Sequence, residues 1–160
     1  MPREITGSLD GKALRIGVVV ARFNAYITER LLAGALGALR DAGVADDDVT
    51  IVRVPGAFEV PLAARELAAG GEIDAVVCLA AVIRGETPHF DFVARAAADG
   101  VGATMLDLGV PIAFGVLTTN TVEQAVERSN EGQGNKGAEA VQTAIEMVRL
   151  QRAIRRESLG

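Results

Sequence analysis

The chain of 160 residues contains one cysteine, one histidine, one tyrosine and no tryptophan. A single cysteine, Cys78, cannot form an internal disulfide, and its apolar neighbours favour a small buried side chain over a nucleophile. One cysteine and one histidine cannot assemble a His/Cys metal site, so we expect no metal. The scarcity of these residue types leaves His89 as the candidate for proton transfer near neutral pH.

Charge and hydropathy narrow the class of protein further. The net charge is −5 without a basic stripe, which argues against nucleic-acid partners. No apolar stretch approaches the length of a membrane span, and the first residues lack the basic-then-apolar pattern of a secretory signal. At 160 residues, 49% of them apolar, the chain fits one globular domain. We therefore expect a cytoplasmic protein with a single domain over residues 1–160 and no membrane partner.

Common cofactor and hydrolase motifs are also missing. No Gly-x-Gly-x-x-Gly follows the first predicted strand, and Gly-x-x-x-x-Gly-Lys-Ser/Thr occurs nowhere. Gly-x-Ser-x-Gly is absent as well, which removes the hydrolase nucleophile elbow. A dinucleotide-binding, P-loop or serine-hydrolase function therefore has no support in the sequence.

What the sequence does contain is a repeated alternation of apolar runs and helical patterns. The apolar runs predict strands over residues 14–21, 49–54, 73–83 and 104–108, the last continued by 111–118. Helices are predicted over about 25–41, 58–69, 90–99, 121–131 and 136–156. Asn24 is the expected N-cap of the first helix and Gly43 its stop signal, and Thr121 with Gln124 has capping-box spacing.

Strands that are buried on both faces and alternate with helices predict a parallel sheet covered by helices on both sides. With right-handed crossovers, four such units make an α/β fold. We expect a three-layer αβα sandwich around a four-stranded parallel sheet, flavodoxin-like in architecture. Residues 1–12 match neither period and are interpreted as an N-terminal arm, which either pairs with a neighbouring subunit or is disordered.

The loops that follow the predicted strands carry unusual side chains, and in open α/β sheets ligands collect at that edge. Phe23 follows the first strand, Phe58 and Glu59 follow the second, and His89 follows the third. Each has a simpler interpretation, because Phe23 can cover its helix entrance, Glu59 can complement a helix dipole, and His89 can be a surface residue. Together they suit a planar heterocycle stacked on phenylalanine, with a carboxylate and a proton-transfer group beside it.

The fourth loop carries two cations. Arg128 lies in the last turn of a predicted helix, where a cation is favourable, but Lys136 starts the next helix, where it is mildly unfavourable. An anion between these two side chains and the amides near Gly134 and Asn135 would reverse that sign. The simpler interpretation is that Lys136 points to solvent. We predict that a small phosphorylated molecule binds here beside the heterocycle.

Several long motifs carry a resemblance to a known family. They are Arg22-Phe23-Asn24 with Ile27-Thr28, Pro55-Gly56-Ala57-Phe58-Glu59-Val60-Pro61, Val82-Ile83-Arg84-Gly85-Glu86-Thr87 with His89-Phe90-Asp91, Gly115-Val116-Leu117-Thr118-Thr119-Asn120, and Gly134-Asn135-Lys136-Gly137. In this order, over about residues 14–148, they resemble the 6,7-dimethyl-8-ribityllumazine synthase family. Several motifs in the right order are far more specific than any one of them.

The resemblance implies a transferase of riboflavin biosynthesis. It would condense 5-amino-6-(D-ribitylamino)uracil with 3,4-dihydroxy-2-butanone 4-phosphate, release phosphate and water, and form 6,7-dimethyl-8-ribityllumazine without a cofactor or metal. His89 is then the proton-transfer group, and Phe23 stacks on the pyrimidine in a loop ordered by Asn24. The other implied contacts serve the ribityl chain (Ala57, Phe58, Glu59), the ring (Ala81, Val82, Ile83), the phosphate (Gly85, Glu86, Thr87, Arg128) and the pocket wall (Phe114, Lys136).

The resemblance also implies a homo-oligomer. Family members form pentamers with the site between adjacent subunits, some assemble into shells of sixty subunits, and riboflavin synthase is an implied partner. The short connection from Arg128 to Lys136 resembles that of shell-forming members. Two other hypotheses stay open: a flavin- or nucleotide-binding module of flavodoxin type without catalysis, and a structural shell protein with a decayed pocket.

Overall fold

The computed structural model describes residues 1–159, in which strands and helices alternate along the chain. The strands are β1 (Ile16–Ala21), β2 (Val49–Val54), β3 (Ala75–Ile83) and β4 (Ile112–Thr119). The helices are α1 (Ala25–Asp41), α2 (Val60–Ala69), α3 (His89–Leu108), α4 (Val122–Ser129) and α5 (Lys136–Leu159), with short 3-10 turns at Asp46–Asp48 and Ala57–Glu59.

The four strands form one parallel sheet in the order β2-β1-β3-β4. One apolar core lies between the sheet and helices α1, α4 and α5, and a second lies between the sheet and helices α2 and α3. Side chains of β3 alternate between the two, since Val77 and Leu79 join the first core and Val76 and Cys78 the second. The predicted three-layer sandwich around a four-stranded parallel sheet is confirmed, and the observed strand order is flavodoxin-like.

The edge strands are less buried than the sequence predicted. On β2 the Ile51 side chain is 41% exposed, and on β4 Phe114 and Thr118 are exposed. An edge strand has a neighbour on one side only, and α2 packs far more on β1 than on β2. Burial on both faces is therefore confirmed for β1 and β3, is wrong for β2, and holds for only part of β4.

Residues 104–108, predicted to open the fourth strand, are instead the last turns of α3. The prediction ended this helix before Gly100, but the helix continues through it. The position needs glycine because a Cβ there would come within 2.7 Å of Pro61 on α2. The buried stripe continues through Val101 into the last turns. The helix ends at Gly109, where φ is 66° and the N–H donates to the Met105 carbonyl at 2.9 Å.

Most other boundaries agree with the prediction to within about two residues. The capping box of α4 is confirmed: the Gln124 N–H donates to Thr121 Oγ1 at 3.1 Å, and Gln124 Oε1 accepts from the Thr121 N–H at 3.3 Å. The second predicted helix begins as a 3-10 turn, so its α-helical part starts at Val60 with Pro61 in the first turn.

The N-terminal arm has no regular secondary structure over residues 1–11 and follows the surface of α5. The Arg149 guanidinium donates to the carbonyls of Asp10 and Lys12 at 2.7 and 2.8 Å. Arg3 lies 3.4 Å from the Glu157 carboxylate. Pairing of this arm with a neighbouring subunit stays a prediction.

Within residues 1–159, no helix combines the length and apolar character that crossing a membrane requires.

The Cys78 thiol provides a test of the second core. Burial raises its pKa from 9.0 to about 12, because the thiolate would be desolvated between the sheet and α2 and α3. The folded protein should therefore resist a thiol-specific reagent at pH 8, whereas the denatured chain should react rapidly. Reaction of the folded protein at the denatured rate would contradict this burial.

The same pKa shift makes the free energy of unfolding depend on pH. The thiol of the unfolded chain ionises at a lower pH than the folded thiol, so the stabilisation is fully present below pH 9 and is lost as pH rises toward 12.

Candidate active site

A cleft of about 470 Å³ opens at the carboxyl edge of the sheet, where β1 and β3 end. The strand order reverses here, since the chain passes from β1 outward to β2 and then returns to β3 on the other side. Three consecutive βα loops contribute to the walls. The lining residues are Phe23, Asn24, Gly56, Ala57, Phe58, Glu59, Ala81, Val82, Ile83, Gly85, Thr87, His89, Phe90 and Val93.

The unequal lengths of β1 and β3 create this cleft. Their paired register stops at Val20 opposite Leu79, whereas β3 continues beside β4 as far as Ile83. Residues 81–83 therefore have a strand on the β4 side and the cleft on the other. Backbone polar groups at such an edge need hydrogen-bond partners, so this segment can bind a flat ligand through its main chain.

Asn24 connects the loop after β1 to the extended end of β3. Its side-chain N–H donates to the Ala81 carbonyl at 2.7 Å, and its backbone is left-handed, with φ at 62°. The sequence predicted that Asn24 caps α1, and it does occupy the N-cap position, but its side chain makes no capping bond. Asparagine tolerates this conformation better than most residues, and the crossing bond holds the loop in place. Beside it, the Phe23 side chain is 71% exposed.

Phe58 and Glu59 lie in the 3-10 turn between β2 and α2. The Phe58 side chain is 63% exposed and Glu59 is half-buried. This loop is joined to the first, because the Phe23 N–H donates to the Pro55 carbonyl at 3.0 Å. Two accessible aromatic rings and a carboxylate therefore border one cleft, which suits stacking on a planar ring and acceptance of hydrogen bonds from hydroxyl groups.

The loop from Gly85 to His89 forms the third wall. The loop is exposed to solvent. Its end forms the start of α3, with Pro88 as the N-cap residue and His89 as the first helical residue. Gly85, Thr87 and His89 line the cleft, whereas Glu86 does not. In the described part of the chain, the side chains of Glu86, Thr87 and His89 make no hydrogen bond or ion pair, which leaves their polar atoms available to a ligand.

A second cleft, of about 480 Å³, runs along β4 between α4 and α5. Phe114, Arg128 and Lys136 lie on its walls together with Glu139. The Lys136 Nζ is 3.1 Å from a Glu139 carboxylate oxygen, and the Arg128 guanidinium donates to the Gln124 carbonyl at 3.0 Å. The structure thus brings the two predicted cations to one cleft. An anion bound there would compete with Glu139 for the lysine.

The turn between α4 and α5 is fixed by one buried side chain. Asn135 is 2% exposed, donates to the carbonyls of Ser129 and Asn130 at 3.0 and 3.1 Å, and accepts from the Ala138 N–H at 3.0 Å. It is therefore the N-cap of α5. Its own backbone N–H points to the Gly132 carbonyl at 3.4 Å, so an anion would meet side-chain cations before this amide.

The predicted site residues are therefore divided between two places in a single chain. The first cleft contains Phe23, Asn24, Ala57, Phe58, Glu59, Ala81, Val82, Ile83, Gly85, Thr87 and His89, and the second contains Phe114, Arg128 and Lys136. No residue lines both clefts, and Glu86 lines neither. The division follows from the strand order, which puts β4 at an edge of the sheet.

The sequence missed Arg84, Phe90 and Val93. Phe90 and Val93 face the cleft from the first turn of α3, and an apolar helical stripe gives no signal that separates a cleft wall from a core. Arg84 contacts Phe90 directly, with its guanidinium carbon 4.3 Å from the ring centroid. The signal that could have indicated Arg84 is its charge, since it comes immediately after a buried strand.

A larger cavity, of about 680 Å³, lies elsewhere, between α1, α5 and the α4–α5 turn. Its walls are mostly alanine, glycine and amide side chains, and its one arginine, Arg30, is bound to Ser129 and Asn130. The aromatic rings, the carboxylate and the histidine meet at the sheet edge instead, which makes the cleft there the candidate active site. Among the described residues, no group of three or more His, Cys, Asp or Glu side chains could hold a metal ion.

Fold and cleft together define an α/β protein with a candidate small-molecule site at the carboxyl edge of a parallel sheet. Residues 13–152 match the family model described as 6,7-dimethyl-8-ribityllumazine synthase. The chain belongs to the 6,7-dimethyl-8-ribityllumazine synthase family, and it is an enzyme of that type.

Two curated relatives support the same conclusion over nearly the whole chain. A 6,7-dimethyl-8-ribityllumazine synthase from Desulfatibacillum aliphaticivorans is 51% identical over 150 residues, covering 94% of this chain and 97% of the relative. Another with the same name, from Syntrophus aciditrophicus (strain SB), is 53% identical over 154 residues, covering 96% of this chain and 100% of the relative.

The bond from Asn24 to Ala81 can be tested by substitution. Asn24→Asp removes the donor and places a carboxylate beside a buried carbonyl, so we expect it to lower the free energy of unfolding by about 1–3 kcal/mol. Asn24→Gly keeps the left-handed backbone without the charge and should cost less, about 0.5–1.5 kcal/mol. Denaturant unfolding at fixed protein concentration measures both. An Asn24→Asp protein as stable as the wild type would contradict the role of this bond.

Proposed function

We propose that this chain condenses 5-amino-6-(D-ribitylamino)uracil with 3,4-dihydroxy-2-butanone 4-phosphate to 6,7-dimethyl-8-ribityllumazine, with release of phosphate and water. This is the penultimate step of riboflavin biosynthesis. One observation supports the proposal that the reaction takes place at the first cleft: aromatic rings, a carboxylate and a histidine border this cleft, at the point where the strand order reverses.

The pyrimidine substrate occupies the first cleft. Its ring stacks on Phe23 and bonds to the main chain of residues 81–83, where β3 extends past β1. Its ribityl chain lies along residues 57–59, with the Glu59 carboxylate accepting from the hydroxyl groups. Asn24 orders this wall through its bond to Ala81.

The phosphorylated ketone binds between the loop of residues 85–89, called here the histidine loop, and the cations Arg128 and Lys136. Gly85, Glu86 and Thr87 contact its phosphate from the loop, and Arg128 supplies a guanidinium that matches phosphate geometry. Phe114 on β4 and Lys136 on α5 complete the pocket wall.

The chemistry needs positioning and proton transfer. The substrate's own amine attacks the ketone, and loss of water gives an imine, so a catalytic lysine is not required. Elimination of phosphate, ring closure and a second loss of water follow, and His89 moves protons between the bound substrates. Holding two reactants in register lowers the barrier of a bimolecular step substantially. The family reaction needs no cofactor in this scheme.

The shared site is part of the proposal. The two substrates must meet, yet the groups proposed to bind them lie in two clefts of one chain. We infer that the second cleft of one subunit faces the first cleft of its neighbour in a pentamer, either free or within a shell of sixty subunits. The single domain over residues 1–160, the cytoplasmic location and an association with riboflavin synthase stay predictions.

Turnover tests the function directly. Purified protein mixed with both substrates should form the fluorescent lumazine product and release one phosphate for each product molecule, at a rate well above the uncatalysed condensation. A matched sample without protein provides the background. A rate equal to that background would contradict the proposed reaction, and tight binding of a flavin without turnover would favour the binding-module hypothesis instead.

Mixing two inactive variants tests the shared site. His89→Ala impairs the first cleft and Arg128→Ala the second, so each protein alone should have little activity. When the two chains are coexpressed and assemble randomly, about a quarter of the sites should combine two intact halves. Activity should then exceed the sum of the parents. If both clefts of a site came from one chain, the mixture would show only the average of the two variants.

A further inference from the structure

Arg84 is the first residue after β3, and it contacts β4, the residue that follows β4, and α3. Its backbone N–H donates to the Thr119 carbonyl at 2.9 Å, which extends the pairing of β3 with β4. Its Nε donates to Asn120 Oδ1 at 2.9 Å, after the end of β4. Its guanidinium carbon lies 4.3 Å from the centroid of the Phe90 ring, and a terminal nitrogen is 3.4 Å from the Asp91 carboxylate.

These contacts close the histidine loop at both ends. The histidine loop (residues 85–89) leaves β3 at Arg84 and ends at His89, the first residue of α3. The Arg84 side chain reaches from the start of this loop to Phe90 and Asp91 in the first turn of that helix. In the described chain the loop's own polar side chains make no bond that would hold it. The backbone bond from Asp91 N–H to the Pro88 carbonyl, at 3.0 Å, fixes only its last turn.

We propose that Arg84 is a positioning residue, which rests on the proposed function: it sets the place of the phosphate-binding groups and of His89 without touching substrate. The guanidinium is suited to this task because it stacks on a ring with its face while its edge donates hydrogen bonds. A lysine cannot do both. An error of about 1 Å in the position of reacting groups can cost on the order of 100-fold in rate, so a loop held by one side chain is sensitive to that side chain.

Arg84 has a direct alternative, in which its charge binds the substrate phosphate. Asn120 separates the two, because Asn120→Ala removes a partner of the guanidinium and leaves the guanidinium itself present. Its backbone N–H, which donates to Gln124 Oε1 at 2.8 Å, is unchanged by that substitution. A positioning role predicts that Arg84→Met and Asn120→Ala act in the same direction and do not add up in the double variant.

Steady-state kinetics test the proposal with Arg84→Met, Arg84→Lys, Asn120→Ala and the double variant. Arg40→Met is the matched control, since Arg40 is an exposed arginine with an acidic neighbour at the far end of α1. For Arg84→Met we expect kcat to fall and the KM of the phosphorylated ketone to rise about tenfold, with the KM of the pyrimidine nearly unchanged. Arg84→Lys should not restore activity, and Asn120→Ala should show a smaller change of the same kind.

Hydrogen exchange provides a readout that does not depend on turnover. In Arg84→Met, the backbone amides of residue 84 and Asp91 should exchange about tenfold faster than in the wild type, while the same amides in the Arg40→Met control should exchange at the wild-type rate. Unchanged exchange overturns the proposal even if the wild type proves inactive, which would by itself refute only the proposed function. Equal increases in both KM values, or full rescue by Arg84→Lys with no effect of Asn120→Ala, would also overturn it.

Discussion

The parallel pairing of β1 with β3 is the constraint on which the remainder of the structure depends. Both strands are apolar on both faces, so both must be covered by helices, and this requirement generates the three layers. Their register ends at Val20 and Leu79 although β3 continues to Ile83. The central pair therefore organises the fold and also leaves a step at its carboxyl edge, where Asn24 takes the place of the missing strand by donating to Ala81.

Much of the fold could be predicted from the sequence because its strongest signals are local. The α1 stripe, the Thr121–Gln124 capping box and the buried run of β3 depend on residues near one another in the chain. Residues 104–108 were predicted wrongly because Gly100 was taken as a helix end, whereas it gives room for Pro61, a contact that is distant in the chain. The exposure of β2 likewise depends on strand order, which local periodicity does not contain.

The candidate site was predictable residue by residue but not as an arrangement. Loops after buried strands drew attention to Phe23, Glu59 and His89, and the structure places these on one cleft. The cations of the fourth loop could not be placed relative to them, because their distance depends on β4 being an edge strand. The role of Arg84 was not predicted for a related reason. Phe90 is near it in the chain, but Asn120 follows β4, and the sequence near Arg84 does not show that contact.

Under the proposed assembly, the division of the site has a consequence for symmetry. Each chain carries one cleft with stacking rings and one cleft with cations, at different edges of its sheet. A head-to-tail contact joins unlike clefts, and repeated in an open chain it leaves one cleft of each kind unmatched at the ends. Only a closed ring of subunits leaves no cleft unmatched. A cyclic oligomer therefore completes every site with a single kind of contact, and the exposed edge of β4, which a lone subunit leaves uncovered, becomes part of the site.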